Sequence, residues 1–328
     1  MSGWARLKII TESEQCNWEV QGNLPPVLGQ SQKVAASNKP AVPDSPMTVS
    51  YLTEQTSHHP PVSAFYIDCP QKGIFARGFD QISAKFTGTS IRITPGAHNL
   101  GIFINLASRN NEEYHLTHPA AYLGGLLRGS LSVTVADSCF VTCEKTKQKV
   151  ILHYLEEGWL GRTQNKVVGV VYKYDPATDN RTKIKEVPEK DILARIEGCW
   201  HDQVSYTLTG EKEPNVLVDL NPLFPAPKII PPVDSQLPNE SRRFWRDVTE
   251  AIVNKQYGQA TKLKQELEER QREKAAARKA QNEEWRPRFF TASVTPVGKP
   301  ELTEDGKLAL KGLNEGSYQL KESLITGA

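Results

Sequence analysis

From Thr48 to about Asp219, apolar and polar residues alternate in run after run, and this pattern constrains the fold more than any other feature of the chain. Ile91 and Ile93 alternate with Ser90, Arg92 and Thr94, and Leu131, Val133 and Val135 alternate with Ser130, Ser132 and Thr134. Ile102-Phe103-Ile104-Asn105-Leu106 and the runs 149–155, 166–174 and 204–208 repeat the theme. Period two with β-branched and aromatic residues is the signal of half-buried strands. Turn clusters such as Pro95-Gly96, Arg109-Asn110-Asn111 and Asp175-Pro176 break the runs. About ten or more antiparallel strands in ~170 residues have to curl or close, because a long open sheet leaves edges free to pair. The expectation is a barrel or strongly curved sheet.

The flanks read differently. Residues 31–46 hold three prolines among small polar residues and read as a loop or linker. The Pro-rich stretch 221–238 suits neither sheet nor helix and reads as an extended connection. Beyond it, Asn239 or Ser241 reads as a helix N-cap, with Trp245, Val248, Ile252, Ala260, Leu263 and Leu267 at three- and four-residue steps. A break is expected near Tyr257-Gly258, then a charged, Ala-rich solvated helix that Pro287 stops. From about Thr291 the tail is polar and is expected to pack loosely.

Composition excludes several classes. The formal net charge is +2, so no bulk basic field draws the chain to nucleic acid. No run approaches 18 apolar residues, and the opening residues do not read as a signal peptide. Five scattered cysteines suit free thiols in a reducing compartment, so a cytoplasmic location is expected.

The most unusual string is Glu54-Gln55-Thr56-Ser57-His58-His59-Pro60-Pro61. Each proline fixes its own φ and steers its predecessor away from helix, so the two histidines are held at a stiff strand entrance. They offer donors to an anionic group; as a plain alternative they form an exposed polar turn. Cys139 and Cys143 lie roughly 13 Å apart on a strand, too far for one ion, and read as core thiols. His115 and His118 would point to opposite faces. No third ligand marks a metal site, and no nucleophile elbow, phosphate loop or zincin motif marks a catalytic one. Neither metal, cofactor nor catalytic residue is expected. The late helix carries two i,i+4 stripes, Lys262/Glu266/Arg270 and Lys264/Glu268/Arg272. Either can be a solvated face or can aim two cations at a phosphate, and periodicity does not choose between them.

The histidine string closely resembles the fingerprint of oxysterol-binding-protein-related lipid-transfer proteins, with Thr56 where Val is common. Downstream, Pro238-Asn239-Glu240-Ser241-Arg242-Arg243-Phe244-Trp245-Arg246-Asp247-Val248 resembles the opening of that family's late helix. Residues 264–272 are similar to the later part of that helix, and Trp285-Arg286-Pro287-Arg288-Phe289-Phe290 to the family's closing motif. The resemblance covers about residues 48–296 and is strongest to short fungal members that lack accessory modules.

It implies a mainly β fold with C-terminal helices: a nearly closed antiparallel barrel around an apolar lipid tunnel. By resemblance the barrel covers about 48–220, the extended linker 221–238 and the helical part 239–286, with 1–47 a divergent segment and 297–328 a polar tail. The family carries phosphatidylinositol 4-phosphate and exchanges it for a sterol or phosphatidylserine, in transient peripheral contact with membranes. By resemblance the phosphate site is His58, His59, Lys264, Glu268 and Arg272. Leu24-Pro25-Pro26-Val27-Leu28-Gly29-Gln30 only faintly echoes the family's upstream headgroup motif, so the lid region is expected to be missing. A phosphoinositide sensor without transfer activity is the alternative, ahead of a phosphoinositide-processing enzyme. Phe289-Phe290-Thr291-Ala292 also resembles a short motif that docks on endoplasmic-reticulum receptors, although burial is the stronger expectation for the two phenylalanines.

Overall fold

The structure, a computed structural model, describes residues 16–21, 48–125, 129, 131–156, 165–223, 228–230, 232–291 and 298–315. The linker at 31–46 and the segment 24–30 lie outside them. The chain forms two compact units: one from Met1–Val20, Val49–Asp68 and Lys228–Ala328, the other from Gln21–Thr48 and Cys69–Pro227. The helices thus share a unit with the hairpin that carries the two histidines.

The second unit is the antiparallel sheet that the alternation demands. Its long path runs, from one end, through Asn215–Asp219 (β15), Gln203–Leu208 (β14), Ile192–Cys199 (β13), Lys166–Lys173 (β12), Gln148–Tyr154 (β11) and Ser132–Cys143 (β10). It continues through Glu112–Leu116 (β8), Gly101–Leu106 (β7) and Ile74–Asp80 (β4). A branch of Ile82–Phe86 (β5), Ile91–Pro95 (β6) and Ala120–Gly124 (β9) joins through β10. The first half of β10 pairs with β9 and its second half with β11. The switch falls at Asp137, whose φ of +69° puts a left-handed corner in the strand. Arg92 holds that corner, donating to Asp137 Oδ2 at 2.7 Å.

In β11 to β13 both faces are apolar. Ile151, Val170, Tyr172, Val187 and Ile192 pack on one, and Val167, Ile196 and Val204 anchor the other. The first face is covered by the connection after β12, which a buried charge cluster fastens. Lys149 donates to Asp179 Oδ2 at 2.8 Å and to the Arg181 carbonyl at 2.7 Å, and Arg181 pairs with Asp179. The Asp179 side chain is only 1% exposed. Burial by itself would raise its pKa; the hydrogen bonds and charges of Lys149 and Arg181 outweigh this and hold it below the usual carboxylate range. Because the folded-state pKa is depressed, its stabilisation is present above the unfolded pKa and is lost as pH falls through the folded one. Asp179→Asn is expected to cost about 3–5 kcal/mol, since it leaves two cations without their shared partner. Urea denaturation at pH 7 against pH 3 checks this: the variant loses less stability on acidification than the parent does, and an equal loss in both would remove Asp179 from the explanation.

The first unit is built around a hairpin of Thr48–Ser57 (β2) and Val62–Cys69 (β3). A short strand at Lys228–Ile229 (β16) pairs with Cys16–Gln21 (β1), so the Pro-rich stretch does contribute to a sheet where its prolines leave a gap. The helices are Ser241–Phe244 (α1), Arg246–Val253 (α2), Tyr257–Ala280 (α3) and Glu304–Asn314 (α4). The three- and four-residue steps hold: Trp245, Val248 and Leu267 form one cluster with Phe244, Ile252 and Leu263. The break between α2 and α3 falls at Lys255, with φ +59°, just ahead of the expected point. Helix α3 stops at Ala280, short of Pro287. Asn282 adopts φ +55°, and the Glu283 and Asn282 N–H groups donate to the Arg278 and Lys279 carbonyls at 2.9 and 3.2 Å. That is a left-handed C-terminal cap, which Asn accepts more readily than most residues.

The described part of the tail, residues 298–315, is packed rather than loose. Thr303 caps α4, accepting from the Gly306 N–H at 3.1 Å, and Ala309, Leu310 and Leu313 are buried. Its apolar steps are short and interrupted by lysines, which is why the sequence reads as polar.

Candidate functional site

The residues singled out in the sequence fall into two clusters, both in the first unit. His58-His59-Pro60-Pro61 form the turn joining β2 to β3, and all four are exposed. The histidine rings sit 4.2 Å apart, tilted by 54°. The hairpin positions them. Register runs from Ser50↔Asp68 to Gln55↔Ser63 and then skips Thr56, so that Ser57 faces Val62. This irregularity re-aims the strand end just ahead of the turn. Thr53 Oγ1 donates to the Ala64 carbonyl at 2.7 Å, and Thr56 Oγ1 to the Val62 carbonyl at 3.4 Å.

Lys264, Glu268 and Arg272 form the second cluster on α3. Lys264 bonds Glu268 Oε1, while Arg272 reaches Glu268 Oε2 at 3.4 Å and Glu269 Oε2 at 2.7 Å. Glu268 therefore holds both cations of the stripe through its two oxygens. The rival stripe is weaker and wetter: Lys262 and Glu266 are 4.0 Å apart, with side chains 71% and 55% exposed. Lys264 is 27% exposed, because Leu267 beside it faces the helix cluster. Lys264, pre-ordered and half-buried, loses less rotamer freedom when it binds an anion, while the Arg272 side chain is 65% exposed.

One residue of the fingerprint has a role the sequence did not signal. Glu54 is 4% exposed, and its carboxylate accepts the backbone N–H groups of Arg288 (Oε1) and Phe289 (Oε2), each at 2.7 Å. No spacing rule links positions more than 230 apart in the chain. Phe289 and Phe290 are 0% and 1% exposed. They are core residues, in line with the expectation of burial.

The set-aside residues stay outside these clusters. Cys139 and Cys143 are buried free thiols on β10, and His115 stacks on Phe103 at 4.4 Å. Among the described residues no group of His, Cys, Asp and Glu has the arrangement of a metal site. No described helix is long and apolar enough to cross a membrane.

In the second unit, β5, β6, β9 and β10 make an amphipathic sheet. Cross-strand partners share a face. Ala84↔Ile93, Phe86↔Ile91, Ile91↔Leu123, Ile93↔Ala121 and Val133↔Leu123 put one apolar side together; Lys85↔Arg92 and Arg92↔Tyr122 make the other polar. On the apolar side Phe86 and Val133 are each 63% exposed and Ile82 42%, while Ile91 at its middle is buried at 8%.

The sequence profile of the oxysterol-binding protein family matches residues 14–311. The chain belongs to the oxysterol-binding protein family. The match runs beyond 48–296 at both ends and takes in most of α4. The Oxysterol-binding protein-like protein 1 of Schizosaccharomyces pombe is 48% identical over 264 residues, 80% of this chain and 51% of that protein. Oxysterol-binding protein-related protein 8 of Homo sapiens is 33% identical over 251 residues, 73% of this chain and 25% of that one. The chain thus spans half, or less, of the length of these family members. The fold resembles the Osh1 ORD domain crystallised with ergosterol (TM-score 0.60, 20% identity, 83% of this chain and 67% of that one). It also resembles the Saccharomyces cerevisiae Osh3 ORD crystallised with PI(4)P (TM-score 0.56, 19% identity, 83% and 70%).

Proposed function

We propose that this family member binds phosphatidylinositol 4-phosphate by its headgroup and carries it between membranes in exchange for a sterol or phosphatidylserine. The observation that carries the reading is the open apolar face of β5, β6, β9 and β10. A lipid leaving a bilayer exposes its tails at ~0.8 kcal/mol per CH₂, and an apolar wall removes that cost. Phe86, Val133 and Ile82 leave apolar side chains exposed on this face, and clustered exposed apolar surface marks a binding surface. The left-handed corner at Asp137 curves the sheet, and we read the curved sheet as a nearly closed barrel around the tails.

The headgroup is assigned to His58, His59, Lys264 and Arg272, with Glu268 holding the two cations. A phosphomonoester carries about −1.5 to −2 charges near neutral pH, which these groups balance. The family relative crystallised with PI(4)P supports that headgroup chemistry, and the one crystallised with ergosterol supports a sterol as counter-lipid. No bond has to break, so the reading asks for membrane contact that is peripheral and brief, on the cytoplasmic side.

Incubation with liposomes containing phosphatidylinositol 4-phosphate, sterol and phosphatidylserine, followed by mass spectrometry of the re-isolated protein, tests the reading. A stoichiometric lipid supports it and names the cargo. Headgroup binding with no transfer between vesicles would turn it into the sensor reading, and release of headgroup phosphate into an enzymatic one. Lys264→Ala is expected to weaken headgroup binding at least tenfold, as loss of a charge-assisted hydrogen bond of ~1.5–3 kcal/mol does. Lys262→Ala is expected to stay near the parent value, and the reverse order would transfer the site to the other stripe.

A further inference from the structure

We propose that Glu54 is the positioning residue of the headgroup site, its buried carboxylate fixing the strand end that carries His58 and His59 to the segment C-terminal to helix α3. The inference rests on the headgroup reading above and adds a residue that never touches the lipid.

Glu54 stands four residues before His58 and is buried, as are Gln55 and Thr56 between them. Its two oxygens each take one backbone N–H, from Arg288 and Phe289, at 2.7 Å. An ionised carboxylate accepting two N–H groups in a buried setting makes short, strong bonds. The segment it grips is itself immobile. Phe289 is fully buried, and the Thr303 N–H donates to the Phe289 carbonyl at 2.9 Å while Thr303 Oγ1 donates to that of Arg288. Arg288 Nε pairs with Asp305 at 3.2 Å. From that anchor only Gln55, Thr56 and Ser57 lead to the turn, and the register skip at Thr56 followed by two prolines leaves them little freedom. An anchor this close to two exposed side chains sets where they point. Residues 281–287 connect the gripped segment back to α3, which carries Lys264, Glu268 and Arg272.

The test is Glu54→Gln in the full chain. Glutamine keeps the shape but offers one acceptor oxygen, and its NH₂ faces the second N–H. Two readouts are taken: binding to phosphatidylcholine vesicles with and without phosphatidylinositol 4-phosphate, and the ring NMR signals of the seven histidines, assigned through His58→Ala and His59→Ala. The expected result is at least tenfold weaker binding, ~1.4 kcal/mol, with the His58 and His59 signals displaced and the other five in place. Unchanged binding, or weaker binding with those two signals unmoved, overturns the proposal. If Glu54→Gln does not fold, Thr303→Ala, which releases the far side of the gripped segment, is read by the same two criteria. A parent chain that ignores the phosphoinositide vesicles sinks the headgroup reading instead, while the ring signals still report whether Glu54 positions the histidines.

Discussion

Replacing His58 and His59 together by alanine is expected to abolish capture of phosphatidylinositol 4-phosphate while leaving the melting temperature within about 2 °C of the parent. Both effects follow from where the residues sit. The turn is exposed on all four positions, so the imidazoles contribute almost nothing to the core, and exposed substitutions of this kind stay within ~0.5 kcal/mol. Toward a phosphate the same rings act as a pair, 4.2 Å apart at the end of a stiff turn. Each charge-assisted bond is worth ~1.5–3 kcal/mol, so losing two lowers affinity by about a hundredfold to ten-thousandfold. Vesicle flotation with phosphatidylinositol 4-phosphate, run beside a thermal melt, reads both quantities. Unaltered flotation would take these histidines out of the site. Lost flotation with a collapsed melt would make the turn a structural element.

Ending the chain at residue 297 is expected to unfold the first unit. Helix α4 buries Leu310 and Leu313 at 7% and 1% exposure and covers the segment that holds Phe289 and Phe290. The fit is close: a Cβ on Gly306 would lie 2.2 Å from the Phe289 carbonyl oxygen. At the far end of α4, Asn314 Nδ2 donates to Asp68 Oδ2 on β3 at 2.7 Å. Removing one buried leucine by truncation to alanine costs about 2–5 kcal/mol, and removing the helix takes away two with their hydrogen bonds. That sum approaches the ~5–15 kcal/mol that holds a domain together. Leu313→Ala is the graded version, expected to lower urea stability by ~2–5 kcal/mol. A truncated chain with the parent's urea midpoint would show that the tail is dispensable, as its polar composition suggests.

The strands and the helix cluster were legible because burial there follows a local period. Val133 and Val135, Ile91 and Ile93, and Trp245, Val248 and Leu267 each announce their face through neighbours two to four residues away. The same locality explains the misjudged ends. Asn282 terminates α3 by a backbone conformation that Asn tolerates, a weaker mark than Pro287, and α4 hides its apolar face among lysines. Of the site, the histidine turn was conspicuous because two prolines stiffen it. The stripe on α3 is ambiguous in the sequence because only packing around Leu267 half-buries Lys264 and leaves Lys262 in solvent.

Short-range pattern and local stereochemistry were enough to specify an antiparallel sheet, a late helical segment and a stiff histidine turn, and resemblance of its motifs pointed to the family. Packing at long range decided that the hairpin folds with the helices, that Phe289 and Phe290 are core, that the tail is a packed helix and that Glu54 reaches Arg288 and Phe289. Those facts depend on contacts between residues up to 235 apart, and a hydrogen bond of that range leaves no periodic trace in the chain that makes it.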